Sequence, residues 1–531
     1  MDARPSSPTT IIIVVTYFLL VAIVGWLGRR RAGSAASFLH ARQELPGSIT
    51  AIAFLAANCG ALEVVGMAAA SAKYGALALH FYWIGAIPAM VFLALFMMPI
   101  YSASRARTIP EFLCMRFGTK VQLLNAVSQI VMMIFVAGIS LYALGSVLNV
   151  FLGLNFFLAA ILVLVAVFFY VSSGGLPATI YSGLIQFAIT LIGLVPLSYL
   201  TLKNFHGLRG LSEALPETMR HAWMNLSWSN PSRAPMDVLG IAFGLGFVLS
   251  FGYWCTDFVL MQRAFAAKTI EETINTPLIA ALGKLVFPLL LVVPGLGASI
   301  LFRGKVENFD DALPHLMMHY YGPGLLGLGI AAILASLMSA LAGNIAAVST
   351  IWTHDIYRAY LRPYQEDGHY VSAGRYATAV ATCLSLCTGY FAFRYKNLMD
   401  YLQMVFALFS APLFATLVLG MFTTWATPSG AFWGLASGMI VAVLHQFACH
   451  FSILSYGSQM SANFYGAIYG FVTSVAIIWG ISLVTESKPL DELHGVTYRK
   501  QNGFLRNLPS SSIFLAICVL ILCVLLNHIF R

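Results

Sequence analysis

The residues with chemistry to offer are few, and most lie inside apolar runs. The stretch FLAANCGALEVVG, residues 54–66, carries Asn58, Gly60 and Glu63 where a membrane helix favours leucine. A carboxylate at that depth is costly and marks a solute, ion or proton path by default. The alternative is a protonated, hydrogen-bonded structural Glu facing neighbouring helices. Asn58, Cys59 and Gly60 form a weak point, since Gly in a helix costs about 1 kcal/mol relative to Ala. Backbone carbonyls freed there can hold a cation, and such irregular backbone is tolerated only against protein or a wet cavity.

Three further stretches have the same character. FGLGFVLSFGYWCTDFVLMQR, residues 243–263, is punctuated by Gly244, Gly246 and Gly252 and followed by Tyr253, Trp254, Thr256 and Asp257. Tyr253 and Trp254 read equally as interfacial aromatics. Lys284 stands in AALGKLVFPLLLVVPG, either snorkelling to the interface or pointing into a polar cavity. In LASLMSALAGNIAAVSTIWTHDIY, residues 334–357, Ser336 and Ser339 share one helix face. Small residues there serve close packing, and their hydroxyls can also complete a shell around a hard cation.

The elements that hold these residues are membrane helices. Of 531 residues, 59% are hydrophobic and 9% charged, against roughly 25% charged in a soluble domain. Apolar runs of spanning length fall at 10–27, 49–74, 79–101, 123–149, 155–172, 179–201, 237–261, 276–301, 323–350, 373–393, 398–421, 428–449, 463–484 and 511–530, an all-α integral membrane chain of about fourteen spans. The first has no basic n-region and reads as a retained span rather than a cleaved signal. The net charge of +9 fits basic cytoplasmic loops rather than nucleic acid. Arg29, Arg30, Arg31, Arg42, Arg105, Arg107, Arg116, Lys120, Arg263, Lys268, Arg358, Arg362, Arg375, Lys488, Arg499, Lys500 and Arg506 then face inside, and both termini outside. The eight cysteines form no zinc spacing or secreted framework. The longest hydrophilic segments, 202–236 and 484–510, are too short for a soluble domain. No nucleophile–base set is readable, so an enzyme is not expected. Short loops without a coiled coil point to a monomer.

The two interrupted spans, the second and the seventh, are five apart. That is the pattern of an inverted five-plus-five repeat with its site at the broken helices. The expected organisation is one transporter domain over 1–531, with core repeats at about 49–201 and 237–421 and peripheral helices at 10–27, 428–449, 463–484 and 511–530.

Over roughly 35–505 the chain resembles the sodium:solute symporter family, and within it the sodium–glucose/galactose cotransporters. The segments that carry the likeness, in order, are ITAIAFLAANCGALEVVGMA, TIPEFLCMRFG, SGGLPATIYSGLIQ, YWCTDFVLMQRAFAAK, LGKLVFPLLLVVPG, LASLMSALAGNIAAVSTIWTHDIY, DYLQMVFALFSAP, PSGAFWG and ELHGVTY. The resemblance implies a LeuT-like fold, alternating access, Na+ as coupling ion and a plasma-membrane location. It places a Na+ site at Ala56, Cys59, Ser336 and Ser339, with Ala340 where the family usually has serine. It places Gly183, in YSG, where the family has the Asp of a second cation site. It implies solute contacts from Asn58, Tyr253, Trp254, Lys284 and Gln403, with Tyr253 closing the inner side. Three positions depart from the sugar branch: Tyr82 replaces a glutamate, Glu63 a Gln or His, and Ser250 an Asn or Thr.

These residues point to a cation-coupled symporter of a small polar solute, a sugar or polyol, in the lipid bilayer. Glu63 can accept paired sugar hydroxyls, neutralise Lys284, or take a coupling proton. The alternatives are a proton-coupled or uncoupled transporter of an organic acid or amine, and a solute sensor on the same fold.

Overall fold

The computed structural model describes residues 7–28, 39, 45–60, 62–223, 226–230, 232, 235–304, 308–392, 397–498 and 508–530. Of the basic residues that set the expected orientation, Arg29, Arg30, Arg31, Arg42, Arg499, Lys500 and Arg506 lie outside these.

The described residues are helical, with one isolated bridge between Leu45 and Ala267. The main helices are α1 (Pro8–Gly28), α2 (Gly47–Asn58), α3 (Glu63–Leu79), α4 (Phe81–Ser104), α5 (Thr119–Leu152) and α6 (Phe156–Asn204). They continue with α7 (Gly240–Thr256), α8 (Phe258–Ala264), α9 (Ile270–Leu301), α10 (Pro323–Leu361), α11 (Asp367–Ala392) and α12 (Leu398–Phe422). The last are α13 (Pro428–His450), α14 (Gln459–Ser482) and α15 (Ser510–Ile529). Among the described residues nine helices are long and apolar enough to cross a membrane, or eleven if each bent pair is one span. This criterion does not reach the expected fourteen. The expected spans 155–172 and 179–201 form one helical run, α6, interrupted at Gly175, whose φ of 56° and ψ of −150° only glycine adopts easily.

Both expected breaks are present. α2 and α3 meet at 60°, α7 and α8 at 54°. The first break is an inverse γ-turn: Cys59 sits at φ −75° and ψ 63°, and Gly60 N donates to Asn58 O at 2.8 Å. A continuous helix would send that N–H to Ala56 O. The second break falls elsewhere than the glycine pattern suggests. Asp257 takes an extended conformation that ends α7, and its side chain accepts from Leu260 N to cap α8. Gly244 and Gly246 instead allow close approach. A Cβ on Gly244 would lie 2.8 Å from Phe464, and one on Gly246 2.8 Å from Ile84.

The core sits around these breaks. α2 packs against α6, α8 and α9, and α3 runs along α9. α10 packs on α5 and α6, and α7 on α12. Every residue from Gly329 to Ile351 of α10 is buried, so this helix is enclosed by protein on all sides.

Candidate functional site

All eight residues expected to contact solute line one cavity of about 50 Å³: Asn58, Glu63, Tyr82, Ser250, Tyr253, Trp254, Lys284 and Gln403. They come from α2, α3, α4, α7, α9 and α12. At roughly 10–15 Å³ per water-sized sphere, this conformation encloses space for a few such spheres. A solute with several hydroxyls therefore requires the walls to part.

Lys284 does not snorkel. It is fully buried, on a helix whose N-terminus is fixed by a Thr269–Glu272 capping box. Its Nζ lies 2.7 Å from Glu63 Oε1. It also lies 4.4 Å from the Phe287 ring centroid, 5.5 Å from that of Trp254 and 5.7 Å from that of Tyr82. The carboxylate one turn beyond the first break and the ammonium on α9 thus neutralise each other inside the protein. Tyr82 faces the same carboxylate.

The floor of the cavity is Tyr253. Asn58 Nδ2 donates to its hydroxyl at 2.8 Å, and its ring packs on Phe406 with centroids 4.8 Å apart. Trp254 stacks on Phe54 at 5.9 Å, so this pair belongs to the interior and not to an interfacial belt. Ser250 Oγ presses against Gly85, where a Cβ would lie 2.3 Å from it. Met67, Phe81, Met399 and Phe406 supply apolar walls, which apolar sequence surroundings could not single out.

The residues expected to hold a cation also converge. The first break rests on α10: a Cβ on Gly60 would lie 2.3 Å from Ala340 Cβ and 3.9 Å from Ser336 O. Ser336 Oγ is buried and has no hydrogen-bond partner. Ser339 Oγ faces Gly183, 3.3 Å from where a Cβ would stand. The γ-turn at Cys59 diverts the donor due to Ala56 O. The Ala56 carbonyl and the Ser336 and Ser339 hydroxyls are hard oxygens of the kind a monovalent cation takes, and Cys59 forms the turn that diverts the donor from Ala56 O. Ala340 contributes only a methyl group, in contact with the break.

A further polar group, next along α12 to Met399 of the cavity wall, is less legible in the sequence. Lys73 Nζ lies 2.6 Å from Asp400 Oδ2, and Tyr74 donates to Asp400 Oδ1 at 3.0 Å. Asn463 Nδ2 donates to Asp400 O at 2.7 Å. This ties the end of α3 to the start of α12 and to α14. The signal was there, in charges interrupting SAKYG and LMDYLQ, but nothing along the chain pairs residues 327 positions apart.

The protein-family model described as the sodium:solute symporter family matches residues 38–438. Sodium/glucose cotransporter 1 of Ovis aries is 28% identical, covering 92% of this chain and 80% of its own length. The sodium/glucose cotransporter of Vibrio parahaemolyticus is 27% identical, covering 82% and 85%. Sodium/myo-inositol cotransporter 2 of Homo sapiens is 28% identical, covering 84% and 71%. Among solved structures, a substrate-bound, outward-open Na+-coupled sialic acid symporter superposes with a TM-score of 0.76 at 18% identity, covering 91% of this chain and 99% of that one. A nucleobase-cation-symport-1 family transporter in a closed conformation gives 0.54 at 12% identity, covering 87% and 98%. The fold is the LeuT-like one that the sequence implies. A match over most of the length, together with two broken helices meeting at a buried polar cavity, shows that the chain belongs to the sodium:solute symporter family and is a multi-pass membrane transporter that couples Na+ to the movement of a small solute.

Proposed function

We propose that the cargo is a neutral polyhydroxylated solute, a sugar or a polyol, and that it binds between Glu63, Lys284, Asn58, Ser250 and Gln403. The observation that carries this reading is the buried Glu63–Lys284 pair at 2.7 Å. A wall made of a paired anion and cation has no net charge to offer. An organic acid would meet Glu63, and an amine would meet Lys284, each at the cost of burying a like charge. Adjacent hydroxyls suit both partners, because they donate to a carboxylate and accept from an ammonium. Asn58 and Gln403 add amide donors and acceptors, and Trp254, Tyr82 and Phe406 add flat apolar faces. The named relatives that carry glucose and myo-inositol support the same chemistry.

Na+ binds first in this reading, at Ala56, Cys59, Ser336 and Ser339, and favours the state in which the solute cavity is open. A ligand shifts such an equilibrium only by its differential affinity for the two states. Solute then enters past Lys73 and Asp400, and Tyr253 closes the other side. The chain acts in the plasma membrane with both termini outside.

Uptake of labelled glucose, galactose and myo-inositol into proteoliposomes, under an imposed Na+ gradient and separately a H+ gradient, tests this. Na+-driven accumulation of one of them is expected. Accumulation under H+ alone transfers the coupling role to Glu63. Failure of all three solutes, with Na+-driven uptake of a carboxylate or an amine, overturns the neutral-solute reading.

A further inference from the structure

Behind Tyr253, away from Glu63, lies a second cavity of about 30 Å³. It shares Asn58, Tyr253 and Phe406 with the solute cavity, so these three form the partition. Gly60 and Ala340 line it as well, so it abuts the break in the second span. Its remaining polar walls are Ser140 on α5, Asp257 at the break between α7 and α8, and Asn344 on α10.

These walls carry acceptor oxygens. Asn58 spends a donor on Tyr253, which leaves its Oδ1 buried without a partner. Ser140 donates to Val136 O at 3.1 Å. Asn344 donates to Ala340 O at 2.9 Å; a carbonyl accepts only, so the amide must present its NH2 there and keep its oxygen for the other side. Asp257 accepts from Leu260 N through Oδ1, and as a carboxylate it retains acceptor capacity. One N–H of each amide and the Ser140 hydroxyl are spent on backbone or on Tyr253, while Asn58 Oδ1 and the Asp257 carboxylate keep acceptor capacity. A buried site of oxygens that includes a carboxylate suits a hard cation, and 30 Å³ is of the size of roughly two or three water-sized spheres. Asp257 is the carboxylate among the residues that line this chamber.

We propose that the chamber is a second Na+ station, with Asp257, Asn344, Ser140 and Asn58 as its oxygen donors, passed by the ion between the break at Ala56–Gly60 and the face of the protein at which α8 lies. This rests on the reading that Na+ binds at that break. Arg263 is buried within electrostatic range of Asp257 but does not line the cavity. Its charge weakens cation binding, as a station of passage requires and a trap does not.

The test is equilibrium binding of radioactive 22Na+ to the purified full-length chain in lipid nanodiscs, for wild type, Asp257→Asn, Asn344→Ala and Ser336→Ala. Asn at 257 keeps the oxygen that caps α8, so the fold is retained, and Asn344→Ala probes the same chamber without touching that cap. Two binding components are expected in wild type. Asp257→Asn and Asn344→Ala should weaken the looser one by about tenfold, the lower end of what losing a charge-assisted contact does, and leave the tighter one in place. Ser336→Ala should do the reverse. Binding in Asp257→Asn and Asn344→Ala indistinguishable from wild type overturns the proposal, as does a single component removed by Ser336→Ala. Loss in the chamber variants with no effect of Ser336→Ala upholds the chamber and overturns the assignment of the site at the break.

Discussion

Replacing Glu63 by Gln should strand Lys284 in the interior. Its Nζ is 2.7 Å from the carboxylate and the side chain is fully buried. Removing one partner of such a pair costs about 3–5 kcal/mol, because the other is left as an uncompensated buried charge. The rings of Phe287, Trp254 and Tyr82, 4.4–5.7 Å from Nζ, soften this by about 0.5–2 kcal/mol, so the lower part of the range is expected. Lys284→Met leaves Glu63, whose side chain is 9% exposed against 1% for Lys284 and so more readily hydrated, and its cost should be smaller. Glu63→Gln with Lys284→Met removes both charges and should recover most of the loss. The assay is a double-mutant cycle on unfolding in lipid nanodiscs, with solute uptake measured in parallel. A coupling energy of about 2–3 kcal/mol is expected, at the upper end for residues in contact, while all three variants lose uptake. Coupling below about 0.5 kcal/mol would refute the argument that the two charges hold each other in the wall, and with it the claim that the wall is neutral to solute.

Gly60→Ala places a methyl 2.3 Å from Ala340 Cβ; overpacking of this kind costs about 1–3 kcal/mol, and Ala340→Gly in the same chain should recover part of it, as thermal unfolding would show. Ala340→Ser adds an oxygen beside the break and should raise the apparent Na+ affinity of uptake several-fold; an unchanged Na+ dependence refutes the site. Lys73→Gln releases the tie between α3 and α12 and should speed modification of a cysteine placed at Met399 by an impermeant thiol reagent, and an unaltered rate refutes a role for that tie in access to the cavity. Burial holds the Asp310 carboxyl, in the loop between α9 and α10, well above the usual carboxylate range. The folded chain then binds this proton more tightly than the unfolded one, so stability falls as pH rises from about 4 through the raised value. Asp310→Asn should flatten that fall in a stability-versus-pH series, and an unchanged slope refutes the assignment.

The sequence by itself determined that this is a polytopic membrane protein, because apolar runs of bilayer length recur along it, and the transporter reading came from the five-apart interrupted spans and the resemblance to the family. It also located the two broken spans, since Asn58, Cys59 and Gly60 weaken a helix locally, and it singled out Glu63, Lys284 and the Ser336–Ser339 face, because a lone polar group in an apolar run is conspicuous. What each group does depended on partners far along the chain. Lys284 could snorkel or turn inward, and only α9 packed on α3 decides for the ion pair with Glu63. The glycines of 243–252 read as a break, yet they seat Phe464 and Ile84, while Asp257 makes the break by capping the next helix. Asp400 is a single charge at the start of a span along the chain, and only the fold brings Lys73 and Tyr74 onto it. The period and polarity of a helix are local properties of a sequence, whereas the pairing of buried charges and the oxygen-bearing walls of a chamber arise between helices, where only packing brings distant residues within a hydrogen bond's length.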